Sequence, residues 1–196
     1  MKYNWRKITI ISLILVVIIV GCFFLGIFDD TSTITVGKGE KILFTDQRPD
    51  SSDPDIIGCF PAAYSGKNGI IGHYSTGKKR KGTSDYRYTT INLDGNTHFQ
   101  QVSLVRNHNP KKFSDNRLRY RRALCKKDGK YFIIQSKYPI TLNRFAENLT
   151  DNDFAWNLDM GTYSYGWYKK DGKLHQVGIS TFWNKDKQTN WIVIKI

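Results

Sequence analysis

The first feature of this sequence that could do chemistry is an acidic residue at a predicted strand end, followed by glycine and hydroxyl residues. The segment Asn157–Ser164 reads NLDMGTYS, and its carboxylate is Asp159. A strand-to-loop corner of this kind brings backbone N–H groups, hydroxyls and an acid together, which suits the binding of sugar hydroxyls or a phosphate. The other interpretation is an acidic turn residue that caps its own loop.

Arginines form a second feature of this type, in the segment Leu118–Leu124 (LRYRRAL). Its alternation predicts that Arg119, Arg121 or Arg122 projects into a cleft. The planar guanidinium of arginine matches the geometry of phosphate or carboxylate groups. A solvated basic strand face is the other interpretation.

The chain as a whole is strongly basic, because its 196 residues carry a net charge of +13. After the three basic residues near the N-terminus are set aside, 27 basic and 17 acidic residues remain. Such a surface attracts anionic lipid, phosphorylated glycan or nucleic acid, or it is a solvated basic face. The run Gly77–Ser84 (GKKRKGTS) predicts an exposed loop, which either faces an anion or is a solvated turn.

The N-terminal segment Ile8–Phe28 is uncharged and free of proline, and as a helix it would span a bilayer core of ~30 Å. Basic residues precede it, which predicts a cytoplasmic N-terminus and an exported domain. Gly21-Cys22 also resembles a lipoprotein cleavage site, with Cys22 acylated after cleavage. Because the apolar run continues to Phe28, the sequence favours a transmembrane signal anchor over a lipoprotein. Export to the cell envelope argues against a nucleic-acid partner, and nothing in the sequence indicates an oligomeric state.

The remaining chain reads as one mainly β domain of the α+β class, with one or two short helices. A 14% share of aromatic residues favours strands. Period-two alternation and turn signals predict the main strands at residues 41–46, 69–74, 86–93, 97–105, 131–136, 163–169, 173–179 and 191–196. The segment Thr141–Asn148 predicts a helix that Thr141 caps, with Leu142, Phe145 and Leu149 on one face. We therefore expect an anchor at 1–28, a polar linker at 29–40 and the globular domain at 41–196.

Cysteine and histidine usage gives no sign of a metal centre. We interpret Cys59 and Cys125 as two separate buried thiols, although an oxidising compartment would also permit a disulfide. No CxxC motif is present, and the four histidines are scattered. We therefore expect no structural metal and no cofactor.

Several short blocks stand in one order along residues 56–196. They are Pro61-Ala62-Ala63-Tyr64, Ile71-Gly72-His73-Tyr74, Arg122-Ala123-Leu124, Asp128-Gly129-Lys130 with Tyr131–Gln135, Ile140-Thr141-Leu142, Ala155–Ser164 and Thr189-Asn190-Trp191-Ile192-Val193. In this order they resemble the phosphodiester glycosidase family, whose type member is an N-acetylglucosamine-1-phosphodiester alpha-N-acetylglucosaminidase. The sequence Leu158-Asp159-Met160-Gly161 is similar to the loop of a short bacterial branch of that family.

This resemblance implies a hydrolase that removes a sugar from a phosphodiester-linked glycan, as the eukaryotic member does when it uncovers mannose-6-phosphate. It implies a catalytic pair in which Arg122 meets the phosphate and Asp159 lines the sugar–phosphate site. The substrate-binding residues that it implies are Gly161, Tyr163, Ser164, His73 and Asn190. The implied partner is an anionic or phosphorylated glycan of the envelope, close to the membrane.

Two departures from the family pattern bear on catalysis. An Asn-Gly-Gly block is replaced by Ala62-Ala63-Tyr64, and a triple-glycine loop by Met160-Gly161-Thr162. Most glycosidases also use two carboxylates, and Asp159 would be only one of them. Candidates for the second are Asp85, Asp94 and Asp153, with Glu40 and Glu147 less suitably placed. A phosphate is already a good leaving group, so Asp159 and Arg122 alone could suffice. The alternative function is a non-catalytic glycan-binding or assembly protein of the envelope that retains the fold.

Overall fold

A computed structural model describes residues 31–35, 40–161, 164–177 and 187–196 of the chain. Within these ranges it contains sixteen β-strands, one α-helix and a short 3-10 turn at Asp94–Asn96. The helix, α1, spans Leu142–Asn148. The strands are β1 (Thr31–Thr35), β2 (Lys41–Thr45), β3 (Ile56–Pro61), β4 (Ser65–Gly66), β5 (Gly69–Ile70), β6 (Ser75–Thr76), β7 (Thr89–Asn92), β8 (Thr97–Gln101), β9 (Ser103–Arg106), β10 (Asn109–Pro110), β11 (Arg122–Lys127), β12 (Lys130–Ser136), β13 (Phe154–Asn157), β14 (Gly166–Lys170), β15 (Lys173–Val177) and β16 (Trp191–Lys195).

Two antiparallel sheets form the body of the domain. The larger has six strands in the order β1-β12-β11-β13-β9-β10, and the other has five in the order β15-β14-β3-β16-β2. A three-stranded sheet, β6-β8-β7, and the short hairpin β4-β5 complete the pairing among the described strands. Strands distant in sequence are neighbours in both large sheets, so residues far apart along the chain meet at the sheet ends.

The main core lies between the two large sheets. Leu124 and Trp156 from the six-stranded sheet pack in one cluster with Phe60 and Ile192 from the five-stranded sheet. This follows from the alternation of strand side chains, which gives each sheet an apolar inner face. Arg122 occupies the same face of β11 as Leu124, two residues away, and its side chain is therefore directed between the sheets.

Helix α1 covers the opposite face of the six-stranded sheet. Phe145 and Leu149 are fully buried there and share a core cluster with Ala123 and Cys125 of β11. Thr141 caps the helix, because its Oγ1 accepts a hydrogen bond from the N–H of Arg144 at 3.1 Å. The predictions of a mainly β domain, of this helix and of its cap are confirmed in the described residues.

Three predicted strands end differently in the structure. In the predicted strand 69–74, Gly69–Ile70 forms β5 and Tyr74 forms an isolated bridge with Lys81, and the chain turns between them at Gly72, where φ is +87°. The predicted strand 86–93 shortens to β7. The predicted strand 97–105 breaks at Val102, and its two halves, β8 and β9, join different sheets.

The segment predicted as a polar linker contains β1. Its five residues, TSTIT, are rich in β-branched side chains, and all five pair with β12 along the edge of the six-stranded sheet. Of the predicted linker, residues 36–39 lie outside the described ranges. Among the described residues, the six-stranded sheet therefore includes Thr31–Thr35, which precede the expected domain start at residue 41.

The two cysteines of the domain are free and buried. Cys59 packs with Trp167 and Trp191 on the five-stranded sheet, whereas Cys125 packs beneath α1. Because the thiols belong to different core clusters, the interpretation as two separate buried thiols is confirmed.

The predicted anchor at 1–28, with Cys22, lies outside the described residues. Within the described ranges, no helix combines the length and the apolar character needed to cross a bilayer.

Candidate active site

Arg122 is a fully buried arginine at the end of the space between the two sheets. It lies opposite Gln135 in the register of β11 and β12, and its Nε and Nη2 donate to Gln135 Oε1 at 3.4 and 3.3 Å. The guanidinium carbon is 5.8 Å from the ring centroid of Phe60. Nη1 is buried and has no hydrogen-bond partner among the described residues. The guanidinium therefore has a donor available for a further acceptor.

The surroundings of Arg122 make its positive charge costly. Burial lowers its pKa to about 10, and the negative charge of Asp159 acts in the opposite direction. Arg122 therefore remains charged at neutral pH. A buried charge without a paired counter-charge costs several kcal/mol in real proteins. An anion that enters this site would supply the missing partner.

Asp159 lies in a loop that joins the two sheets through its backbone. The N–H of Leu158 donates to the carbonyl of Arg122 at 2.8 Å, and the N–H of Asp159 donates to the carbonyl of Ala62 at 3.0 Å. The first bond ties the loop to β11 and the second ties it to the segment after β3. The position of the Asp159 carboxylate is thus set by both sheets.

The carboxylate of Asp159 is half-buried and accepts a hydrogen bond from the N–H of Gly161 at 2.8 Å. Burial raises its pKa above the ordinary value, while the Gly161 N–H and the charge of Arg122 partly offset that rise. A carboxylate with a raised pKa is a stronger base once it is ionised. Perturbed acids of this kind are concentrated at functional sites.

Tyr64 and Asn157 support the same loop. The side-chain amide of Asn157 donates to the Tyr64 hydroxyl oxygen at 2.5 Å and to the carbonyl of Leu158 at 3.0 Å. Burial raises the pKa of Tyr64 to about 12; Asp159 acts in the same direction, and Arg121 and Arg119 oppose it. Tyr64 is therefore protonated and keeps a hydroxyl proton to donate. Asn157 Oδ1 is buried and has no partner among the described residues.

Arg122 and Asp159 line two adjoining clefts. The first cleft, of about 370 Å³, is lined by Arg122 with Gln135 and by Ser32 of β1. The second cleft, of about 330 Å³, is lined by Asp159, Tyr64, Asn157, Arg117, Arg119 and Arg121, among others. Tyr120 and Met160 border both clefts. The two charged residues therefore line neighbouring clefts that share Tyr120 and Met160.

The other residues of the predicted loop are placed unequally. Gly161 is exposed and lines the second cleft, where its N–H holds Asp159. Ser164 is only 1% exposed and lines neither cleft, and its buried hydroxyl has no partner among the described residues. Tyr163 lies outside the described residues.

His73 and Asn190 do not line either cleft. His73 precedes the three-stranded sheet, where its Nε2 lies 3.1 Å from Thr90 Oγ1 and its ring meets His98 edge-on at 5.0 Å. Asn190 is fully buried, accepts from the N–H of Ala63 at 2.7 Å and donates to the carbonyl of the same residue at 3.1 Å. Asn190 thus positions the chain behind the site, and His73 is buried in another part of the fold.

The candidates for a second carboxylate are engaged away from the clefts. Asp94 accepts from the N–H of Ile42 at 3.0 Å, and Asp85 pairs with Arg87 at 2.6 Å. Asp153 lies 3.2 Å from His108, and Glu147 pairs with Lys112 at 2.9 Å. None of these acids, nor Glu40, lines either cleft.

Asp115, which the sequence did not single out, does line the second cleft. Its two oxygens pair with Arg117 Nε and Nη2 at 2.8 and 3.1 Å, and this pairing holds its pKa well below the usual range. Asp159 is therefore the acid of the clefts whose pKa is raised. Among the described residues, no group of three or more metal-ligating side chains is present.

Sequence reasoning missed the supporting residues Tyr64, Asn157, Gln135 and Tyr120. Tyr64 and Asn157 belong to blocks that resemble the family. Each is a polar residue in an otherwise apolar block, and this could have indicated a role in the site. Gln135 had no such signal, because its role depends on lying opposite Arg122 in the register of two strands.

Comparison with known proteins gives a likeness of fold. No protein-family model matches the chain, and no curated protein matches it. Among solved structures, the chain is similar to the catalytic domain of zebrafish N-acetylglucosamine-1-phosphodiester alpha-N-acetylglucosaminidase, auto-inhibited by its pro-peptide. The TM-score is 0.51 at 12% sequence identity, and the match covers 85% of this chain and 88% of that chain. The chain therefore has a phosphodiester-glycosidase-like fold.

Proposed function

We propose that this protein is a membrane-anchored glycosidase, similar to the short bacterial branch of the phosphodiester glycosidases, that releases a sugar from a phosphodiester-linked glycan of the cell envelope. The observation that carries the proposal is Arg122: a fully buried, charged guanidinium at the wall of an open cleft, whose Nη1 has no hydrogen-bond partner in the described part of the chain. A charge in such a position is destabilising for the empty protein. Its presence is accounted for by an anionic ligand.

The proposed reaction uses Arg122 and Asp159 in different roles. Water attacks the anomeric carbon, the bond from this carbon to the phosphate oxygen breaks, and the electron pair leaves with the phosphate. Arg122 stabilises the negative charge that accumulates on the leaving phosphate monoester. Asp159 accepts the proton of the attacking water and, as a carboxylate, stabilises the positive charge that develops on the sugar ring. The products are a free sugar and a phosphate monoester.

The reaction needs less acid catalysis than ordinary glycoside hydrolysis. Glycosidases usually protonate an alkoxide leaving group with a second carboxylic acid. A phosphate monoester is weakly basic and leaves without that proton. This agrees with a site in which Asp115 is bound to Arg117 and Asp159 is the acid with a raised pKa.

The proposed anchor would hold the site near the membrane. The apolar segment ends at Phe28, and Ser32, which lines the first cleft, follows four residues later. An extended chain spans ~3.5 Å per residue, so the first cleft would lie within ~14 Å of the end of a transmembrane anchor. With a lipid on Cys22 instead, the reach would be ~35 Å. Both versions favour a substrate at the membrane surface.

A non-catalytic role as an envelope glycan-binding protein is the second candidate. The observation that favours it is the pairing of Asp115 with Arg117, which leaves one carboxylate where most glycosidases use two. In that case Arg122 would bind the phosphate of a glycan without cleavage.

The test is hydrolysis of a panel of sugar-1-phosphodiesters by the full chain in detergent or liposomes. We expect the wild type to release both reducing sugar and phosphate monoester. Asp159→Asn and Arg122→Ala should each lower kcat at least ~100-fold while the domain stays folded. Absence of sugar release from every diester would overturn the enzymatic proposal. Binding of the intact diesters, lost only in Arg122→Ala, would then establish the second candidate.

A further inference from the structure

The second cleft carries more positive charge than its own acids balance. Three arginines line it, Arg117, Arg119 and Arg121, together with the acids Asp115 and Asp159. Arg117 and Asp115 neutralise each other through two hydrogen bonds of 2.8 and 3.1 Å. The charge of Asp159 also acts on Arg122 in the first cleft. Two arginines and one shared carboxylate therefore remain in the second cleft.

The Arg121 side chain has a structural role, because it forms hydrogen bonds with main-chain carbonyls. It is buried, and its Nε and Nη2 donate to the main-chain carbonyls of Ile140 and Arg117 at 3.4 and 2.9 Å. These bonds hold the irregular segment before β11 against the chain that leads into α1. Arg121 thus forms part of the wall of the cleft.

The side chain of Arg119 has no comparable structural role among the described residues. Its main chain is fixed, because its N–H and carbonyl form two hydrogen bonds with Ile140, of 3.1 and 2.9 Å. Its side chain is exposed in the cleft, and its guanidinium forms no ion pair or hydrogen bond with a described residue. A planar group with five donors, on a fixed main chain, is prepared to bind an oxyanion.

The order of groups along the two clefts relates Arg119 to the substrate. Arg122 lies in the first cleft, Tyr120 and Met160 border both clefts, and Asp159 and Arg119 lie in the second. If the scissile phosphate meets Arg122 and the anomeric carbon faces Asp159, the body of the sugar extends into the second cleft. The exposed face of Tyr120, 45% accessible, offers an amphipathic surface beside that sugar.

We infer that Arg119 binds an anionic substituent on the sugar that is released, so that the preferred substrate carries a negative charge on each side of the scissile bond. This inference rests on the proposed function and adds the chemical class of the sugar. Phosphate and carboxylate both present a pair of anionic oxygens that a guanidinium binds through two parallel N–H···O hydrogen bonds. The substrate is therefore a phosphorylated sugar or a uronic acid in phosphodiester linkage.

The test compares three sugar-1-phosphodiesters with the same aglycone: a neutral hexose, its phosphorylated form and its uronic acid. For the full-length wild type we expect kcat/KM to be highest for one of the two charged sugars, which identifies the substituent. Arg119→Ala should reduce the charged-to-neutral ratio of kcat/KM about 10- to 100-fold, mainly through KM. Arg119→Lys should retain part of the preference, because the charge remains.

Arg106→Ala is the matched control. Arg106 is an exposed arginine of β9 that lines neither cleft, so this variant has the same change in net charge. It should keep the wild-type ratio. A ratio unchanged in Arg119→Ala, or reduced equally in Arg106→Ala, would overturn the inference.

Measurements of binding affinity show whether this inference fails or the proposed function fails. Affinities of the three diesters are measured by calorimetry with Asp159→Asn, alone and combined with Arg119→Ala. Tighter binding of a charged sugar that requires Arg119 supports the inference even if the wild type cleaves nothing, in which case only the enzymatic proposal falls. Equal affinities for neutral and charged sugars would sink the inference even if hydrolysis is observed.

Discussion

Arg122 and Gln135 face each other across β11 and β12, and the amide oxygen of Gln135 is the one acceptor that the guanidinium contacts among the described residues, at 3.3 and 3.4 Å. A neutral amide at these distances is a weak partner for a buried charge. We therefore expect Arg122 to reduce the stability of the empty protein. Such an effect on stability would indicate that Arg122 is present for ligand binding and not for folding.

Arg122→Met, which removes the charge and keeps a long side chain, should stabilise the protein. We expect the free energy of unfolding to rise by about 1 kcal/mol or more, because the desolvation cost of several kcal/mol for the buried charge is removed, and it exceeds the cost of about 1 kcal/mol of leaving the Gln135 amide oxygen without its donor. Sugar release should be lost in the same variant. Urea unfolding and the hydrolysis assay measure the two effects, and Arg106→Met, at an exposed site, controls for net charge. A less stable Arg122→Met would show that the arginine serves the fold.

The decrease of kcat/KM at low pH should follow the protonation of Asp159. As a base it must be ionised, so kcat/KM falls as the pH falls through its pKa. Because burial raises that pKa, the fall should begin at a higher pH than for an exposed aspartate, whose pKa is ~3.9. The charge of Arg122 holds the pKa of Asp159 down, so Arg122→Met should raise it further, which carbon-13 NMR titration of the carboxyl group can follow. A profile that stays flat down to pH ~4 would contradict the role of Asp159 as the base.

The raised pKa of Asp159 also determines how the stability of the fold changes with pH. A carboxyl whose pKa is raised by folding binds its proton more tightly in the folded state. Asp159 therefore destabilises the fold above its folded pKa; this penalty decreases as the pH falls below that value and is gone below the pKa of the unfolded state. Asp159→Asn should remove the penalty, and unfolding curves at neutral pH should show a protein at least as stable as the wild type.

Gly161→Ala should disturb catalysis without unfolding the domain. A Cβ at this position would stand 3.1 Å from Asp159 Oδ1, so the carboxylate must move by a few tenths of an ångström. Misplacement of a catalytic group by ~1 Å can cost ~100-fold in rate, and we expect a smaller loss of about 10-fold here. Gly66→Ala is the control, since its Cβ would meet only the Ile71 side chain at 3.6 Å. Equal kcat values in both variants would argue against a precise role for the Asp159 carboxylate.

Asn190→Ala should affect stability first and activity second. It would leave the buried N–H of Ala63 unpaired, at a cost of about 1–3 kcal/mol. The neighbouring Ala62 carbonyl holds the N–H of Asp159, so kcat should also fall. The exposed amide of Asn109, with one bond of 2.7 Å to Asn107, supplies the control, and Asn109→Ala should change stability by less than ~0.5 kcal/mol. Urea midpoints that coincide for the two variants would refute the positioning role of Asn190.

The sequence correctly predicted those helices and strands whose formation depends on a few neighbouring residues. Thr141 and the spacing of Leu142, Phe145 and Leu149 predicted α1 together with its buried face, because capping and the helical period act within two turns. The strands β2 and β16 were predicted from β-branched and apolar runs. The strand predicted at 69–74 was largely wrong, because the turn at Gly72 overrides the apolar run.

The sequence by itself determined which residues carry chemistry: an acid at a strand end, arginines before and within β11, and a long apolar segment that predicts an anchor. Only the tertiary structure decided which of them meet. Arg122 and Asp159 are 37 positions apart, and their proximity depends on the register of β11 with β13 and on the bond from Asp159 to Ala62 of the other sheet. The structure also placed His73 beside His98 and Asn190 behind Ala63. A period of two or 3.6 residues fixes the face on which a side chain lies, whereas its partners are set by pairings between distant strands, which no local pattern contains.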